Sequence, residues 1–207
     1  MEKESIVKIE RKIEITVDKL FPSAVARIDN LMPSDYNETL KDVCLDTLKV
    51  VDDGGAHWPC NTFSSMGTYD ILTDDRFSRI NESVTDIVRQ LALEIFDSDY
   101  NYQPMNGWFN VADEYAYQEY HIHPDSVFSA VYYVCAPEGS GDLVFESPLQ
   151  QMVLVKNTDG TNEFTHGYYK YTPKPGTLIL FRSHMKHMVQ QHTNENNCRI
   201  SLSYNFD

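Results

Sequence analysis

No run of apolar residues in this chain approaches the roughly 20 that span a bilayer, and its opening, MEKESIVKIERK, is charged, with no apolar signal core. A membrane partner is therefore not expected. Paired cysteines are also missing. Cys44, Cys60, Cys135 and Cys198 form no C-x-x-C pair, which reads as four reduced thiols in a cytoplasmic protein. Basic residues are few: 17 Lys and Arg stand against 31 Asp and Glu, a formal charge of −14, and they form no run. Such a field repels phosphate backbones, so no nucleic-acid partner is expected, and the acidity itself is read as serving solubility. No internal repeat and no low-complexity linker divides the chain. Its 207 residues, 42% of them apolar, fit one domain with a buried core.

The residues that are there fall into two halves. Residues 1–99 read as strands and support helices. Ile13, Ile15 and Val17 alternate with polar residues within a β-branched stretch from Ile6 to Val25. A first helix is expected from a cap at Ser34 through Leu40, Val43, Cys44, Leu48 and Val51, stopped by Asp52-Asp53-Gly54-Gly55. A second is expected from about Asp75 to Phe96, with Phe77, Ile80, Val84, Ile87, Val88, Leu91 and Ile95 on its apolar stripe. Gly55 to Asp74 reads as loop.

Residues 100–207 change character: short, aromatic, β-branched segments are broken by Gly, Pro, Asn and Asp. Strands are expected at 108–111, 117–123, 128–135, 142–146, 151–155, 168–171, 177–182, 187–192 and 199–206. That many short strands in about a hundred residues predicts a sandwich or jelly roll. The fold class is mainly β with flanking helices (α+β).

Residues 119–125 read Glu-Tyr-His-Ile-His-Pro-Asp. On a strand, side chains two apart share a face, so His121 and His123 project together and can share a metal. Pro124 ends the strand. A third ligand is supplied by His187, which follows the apolar run Thr177 to Phe181 and a short turn. Three protein ligands on one side of a metal leave positions open for a cosubstrate and oxygen. Arg199 and Ser201 share a strand face further on, and a planar guanidinium beside a hydroxyl suits the carboxylate of a small dicarboxylic acid. His57, His166, His184 and His192 read as loop or surface residues.

These segments resemble the iron(II) and 2-oxoglutarate-dependent oxygenase superfamily. Within it the chain is similar to a bacterial and phage oxygenase family with an HxHPxS…SGVYYV signature. The signature stands here as His121-Ile122-His123-Pro124-Asp125-Ser126 and Ser129-Ala130-Val131-Tyr132-Tyr133-Val134, with Ala130 where that family often has Gly. Gly141, Leu143, Phe145 and Pro148 are similar to a further family stretch, and Pro175-Gly176 through Phe181, His187 and Arg199-Ile200-Ser201 resemble the distal-histidine and cosubstrate-arginine block. The superfamily's usual first pair is His-x-Asp, whereas here it is His-x-His. Three ligand sets follow: His121, His123 and His187; His123, Asp125 and His187; or two histidines alone. The first is favoured because Pro124 should turn the chain between 123 and 125.

The resemblance implies a double-stranded β-helix over 100–207, inside one oxygenase domain spanning 1–207. It implies Fe(II) and 2-oxoglutarate as cofactors, with Arg199 and Ser201 on the far carboxylate and Tyr133 and Asn110 also lining the cosubstrate site. The implied reaction hydroxylates a small metabolite or a peptidyl residue such as proline, yielding succinate and carbon dioxide. The loops 54–66 and 157–167 are expected to meet substrate, and a homodimer is compatible with the chain. Two other readings stay open: a cupin-type three-histidine dioxygenase without 2-oxoglutarate, and a non-catalytic jelly-roll binding protein.

Overall fold

The structure is a computed structural model that describes residues 22–60, 62–148 and 166–207. The strands expected around Ile13–Val17 and Gln151–Val155, and nearly all of the 157–167 loop, lie outside them.

Ten strands and two helices are described. The strands are β1 (Val25–Ile28), β2 (Thr62–Ser64), β3 (Pro104–Ala112), β4 (Gln118–His121), β5 (Phe128–Cys135), β6 (Leu143–Glu146), β7 (Tyr168–Tyr171), β8 (Leu178–Arg182), β9 (His187–Val189) and β10 (Arg199–Phe206). The helices are α1 (Ser34–Thr47) and α2 (Ser78–Phe96). They build a six-stranded sheet in the order β1-β8-β5-β10-β3-β2 and a four-stranded sheet in the order β4-β9-β6-β7, every pair antiparallel. Two antiparallel sheets in this arrangement, with the helices outside, are the expected double-stranded β-helix.

Residue parity decides what each face of the large sheet meets, because strand side chains alternate. The even positions Phe128, Ala130, Tyr132 and Val134 of β5 and Ile200, Leu202, Tyr204 and Phe206 of β10 join Leu178 and Leu180 of β8 in one buried cluster. Leu40 and Cys44 of α1 and Ile80, Val84, Val88 and Ala92 of α2 close that cluster from outside. Side chains of this size stabilise by about 1.5–3 kcal/mol each when fully buried. Two polar ties fix the helices over the sheet: the Tyr132 hydroxyl donates to Asn37 Oδ1 on α1, and the Tyr204 hydroxyl donates to Asn81 Oδ1 on α2 at 2.9 Å. The odd positions of the same strands face the opposite sheet, which leaves them free to build a site.

Three local expectations differ. Pro33, extended at φ −61° and ψ 152°, occupies the cap position of α1, so Ser34 is already helical and no side chain caps the start. The buried row of α2 advances in steps of four to Ala92, and Phe96 continues it against Phe128, so Ile95 is 57% exposed. The stretch 55–74 holds β2 and a 3-10 turn, Ile71–Thr73. A three-residue strand has too few positions to show a period.

Gly141 joins the two sheets just before β6. Its φ is +66°, and a Cβ there would lie 2.1 Å from the Gln190 carbonyl oxygen. Gly141→Ala is expected to cost at least ~2 kcal/mol, from left-handed strain plus a backbone clash that no rotamer relieves. A urea melt of the variant checks this, and an unchanged midpoint would show that the segment has room to shift.

Candidate active site

The inner face of the large sheet carries ordered rows across β5, β10 and β3. Ser201 of β10 lies between Tyr133 and Asn110; Ser203 lies between Val131 and Trp108; Asn205 lies between Ser129 and Asn106. Arg199 opens this face at one end. A cavity of about 600 Å³ sits over these rows, and His121, His123 and His187 enter it from the small sheet and its edge.

The three histidines converge. One ring nitrogen of each lies within 4.8 Å of the others. His121 and His187 are register partners on β4 and β9, with ring centroids 4.3 Å apart. His123 comes just after β4 ends, tethered by its backbone N–H to the Ser183 carbonyl at 3.0 Å. Two backbone carbonyls fix the tautomers: His121 Nδ1 bonds Glu119 O at 2.7 Å and His187 Nδ1 bonds Met185 O at 2.8 Å. A carbonyl only accepts, so both Nδ1 atoms carry the proton and both Nε2 lone pairs are left to point inward.

The donor set fits a metal ion. His123 Nε2 and His187 Nε2 stand 3.3 Å apart, close to the ~3 Å between two imidazole nitrogens bound at a right angle to one ion ~2.1 Å away. A cation would relieve the approach of these two nitrogens. Burial favours the neutral rings such an ion needs. Desolvation, then the neighbouring histidine charge, holds His123 down to about 4 and His187 down to about 3, and His121 is lowered mainly by burial. Phe145 and Phe181 pack on the His187 ring at centroid distances of 5.7 and 4.7 Å and fix its plane.

Arg199 is 4% exposed. Its Nη1 donates to the Ser140 carbonyl at 2.6 Å, and among the described residues no carboxylate stands within ion-pair distance of it. Desolvation lowers its pKa, with Tyr133 the group opposing that shift. A buried guanidinium with spare donors and no counter-charge calls for an anion. Ser201 and Tyr133 line the same cavity, and Asn110 Nδ2 donates to Ser203 Oγ at 3.3 Å at its side.

Residues 106–205, just under half of the chain, match the sequence family described as "Putative 2OG-Fe(II) oxygenase". Over that span the chain is similar to the 2OG-Fe(II) oxygenase family. No curated protein matches it by sequence. Among solved structures it is similar to a prolyl-4-hydroxylase of Pseudomonas putida, at 15% identity and a TM-score of 0.62, covering 89% of this chain and 92% of that one. HygX of Streptomyces hygroscopicus, solved with nickel and 2-oxoglutarate, has 11% identity, a TM-score of 0.62 and coverage of 89% and 82%. A viral collagen prolyl hydroxylase of Paramecium Bursaria Chlorella virus-1, solved with 2-oxoglutarate, has 14% identity, a TM-score of 0.56 and coverage of 88% and 94%. At these identities the likeness is one of fold. The matched family is one of oxygenases named for iron(II) and 2-oxoglutarate, and the histidine cluster and the buried arginine of this chain fit such a pair.

All the site residues expected from sequence line this same cavity. Asp125 reaches its wall but is exposed, has a φ of +68° just past Pro124, and is not part of the histidine cluster. Trp58, Thr62 and Met66 bring the 54–66 loop to the cavity. His57 and His184 are exposed and His166 is half-buried, but His192 is fully buried, its Nε2 bonded to the Asn197 carbonyl at 2.7 Å. Backbone hydrogen bonds to Tyr115 and Ala116 hold its loop in place, which sequence periodicity does not reveal. Sequence reading also passed over Ser129, Ser203, Asn205 and Asn106. The signal was present in β10, where Ser201, Ser203 and Asn205 put polar groups on every second position of an otherwise apolar strand.

Burial keeps His121, His123 and His187 uncharged near neutrality, and that makes a calorimetric prediction. Three imidazoles of ordinary pKa would together release roughly 0.7 proton at pH 7 on binding a metal. Metal titrations in buffers of different ionisation enthalpy are expected to give close to zero protons released, with affinity level down to about pH 6. Release near the ordinary figure would mean that the rings titrate normally.

Proposed function

We propose that the chain is one oxygenase domain in which His121, His123 and His187 hold Fe(II), and Arg199, helped by Ser201, holds the far carboxylate of 2-oxoglutarate. The carrying observation is that the inward-facing imidazoles and the unpaired buried guanidinium open into the same cavity. One buried cluster shared by both helices and the C-terminal strands supports reading the two halves as one domain.

Bound iron and 2-oxoglutarate supply the oxidising chemistry: decarboxylation to succinate and carbon dioxide coupled to hydroxylation of a substrate C–H bond. The protein's own groups position and protect. Arg199 offers paired, charge-assisted donors in a dry site. Tyr133, 2% exposed, keeps its proton because burial pushes it up to about 12, so its hydroxyl can donate to a carboxylate. Asn110, oriented by Ser203, adds a neutral donor at the cavity side. Phe145, Phe181 and Leu143 exclude water from the histidine end.

The test is an anaerobic iron(II) titration with and without 2-oxoglutarate, read by visible absorption. A charge-transfer band that needs both additions is the expected result. Iron binding with no band would favour a three-histidine dioxygenase that does not use the oxo acid, and a chain that binds no iron would not be an iron oxygenase at all.

A further inference from the structure

The inner face of the large sheet is longer than the cosubstrate needs. Arg199 to Asn205 is six steps of antiparallel strand, ~20 Å at ~3.4 Å each. A five-carbon dicarboxylate held at Arg199 covers only the Ser201 end, so the row at Asn205 is left for something else.

That row is a directed chain of hydrogen bonds. Ser129 Oγ donates to Asn205 Oδ1 at 2.9 Å, and Asn205 Nδ2 donates to Asn106 Oδ1 at 3.1 Å. With its proton given to Asn205, Ser129 accepts from Ser183 Oγ at 2.8 Å. Ser183, Ser129 and Asn205 are buried, whereas Asn106 is exposed. The chain therefore holds Asn106 with its oxygen turned inward and its Nδ2 turned out, and among the described residues nothing accepts from that nitrogen.

Asn106 stands at a junction. A second cavity of about 380 Å³, over the turn 66–70, shares Met66, Asn106 and Trp108 with the first. A groove thus runs from the histidines past Asn106 to that turn, with Met66 (41% exposed) and Met105 (48% exposed) on its rim. Among the described residues its lining holds one fixed cation, Arg199, already assigned to the cosubstrate, and two carboxylates, Asp125 and Asp70. The whole chain carries −14. An anionic primary substrate has no counter-charge here and meets an opposing field. An outward N–H donor beside adaptable methionines suits a main-chain carbonyl with apolar side chains around it.

We propose that the primary substrate is an uncharged stretch of polypeptide lying along this groove, with Asn106 Nδ2 donating to one of its main-chain carbonyls; the inference rests on the oxygenase reading above. One atom of O2 then enters a peptide C–H bond and the other enters succinate; of the four electrons that O2 takes up, two come from 2-oxoglutarate as it loses carbon dioxide and two from the C–H bond.

The test uses the full chain loaded with iron(II) and 2-oxoglutarate. The probes are three pools at equal residue concentration: capped uncharged octapeptides, the same length rich in Asp and Glu, and capped single amino acids. The readouts are succinate formation and gain of one oxygen by mass spectrometry. The uncharged octapeptides are expected to stimulate most. Asn106→Ala should raise the peptide KM about tenfold, the effect of one lost hydrogen bond. Asn106→Asp should be worse than Ala: it still accepts from Asn205 but presents an acceptor to a carbonyl. A merely structural Asn106 would give the opposite order. A charge-transfer band in the unvaried protein, together with preference for the acidic or single-residue pool, or Asn106→Asp binding peptide like Asn106, would overturn the peptide proposal and leave the oxygenase reading standing. Absence of the band would overturn both.

Discussion

His187→Ala protein is expected to show no charge-transfer band with iron(II) and 2-oxoglutarate, iron affinity at least a hundredfold weaker, and no turnover. Among the three histidines, His187 is the most buried, is gripped by Phe145 and Phe181, and has its tautomer fixed by Met185. Even partners one shell further out cost 10–100-fold in metal affinity when removed, so a ligand should cost at least as much. The variant should still fold, because the lost ring is neutral in the native state and leaves no buried charge behind. Far-ultraviolet circular dichroism and a thermal melt separate loss of metal from loss of fold. A folded variant that keeps the band would remove His187 from the ligand set.

Arg199→Met should produce two opposite changes. The affinity for 2-oxoglutarate should fall about 10–100-fold, as expected for loss of charge-assisted hydrogen bonds to a carboxylate. The cosubstrate-free protein, however, should melt higher, by about 2–4 °C, because methionine removes a desolvated guanidinium that has no counter-charge within reach. The rise in melting temperature that 2-oxoglutarate gives the unvaried protein should disappear, since that rise is set by affinity for the folded state. A variant that melts lower without 2-oxoglutarate and retains the ligand-induced rise would mean that Arg199 serves the fold through Ser140 rather than the cosubstrate.

How much of this was legible in sequence varied with the length of the pattern. The strands at 128–135, 168–171 and 199–206 were read to the residue, because alternation over several positions has one interpretation. Expectations for the ends of α1 and for the 55–74 stretch were looser. A proline at the cap position and a three-residue strand carry no periodic signal. His192 reads as a loop or surface residue and does lie in a loop, but nothing in its neighbours predicts that the loop buries it.

The sequence by itself determined the alternating faces of the large sheet and the presence of Arg199 and Ser201 on one strand face. These follow from the two-residue repeat of an extended chain, which is a local property. Only the tertiary structure decided that His187 meets His121 and His123, that Arg199 is buried with no counter-charge among the described residues, and that Ser129, Asn205 and Asn106 form one hydrogen-bonded row. Those facts depend on strand order and register between segments up to a hundred residues apart. No local pattern encodes the register; the packing of both helices on the even-numbered side of β5 and β10 selects it, and so turns the odd-numbered side toward the cavity.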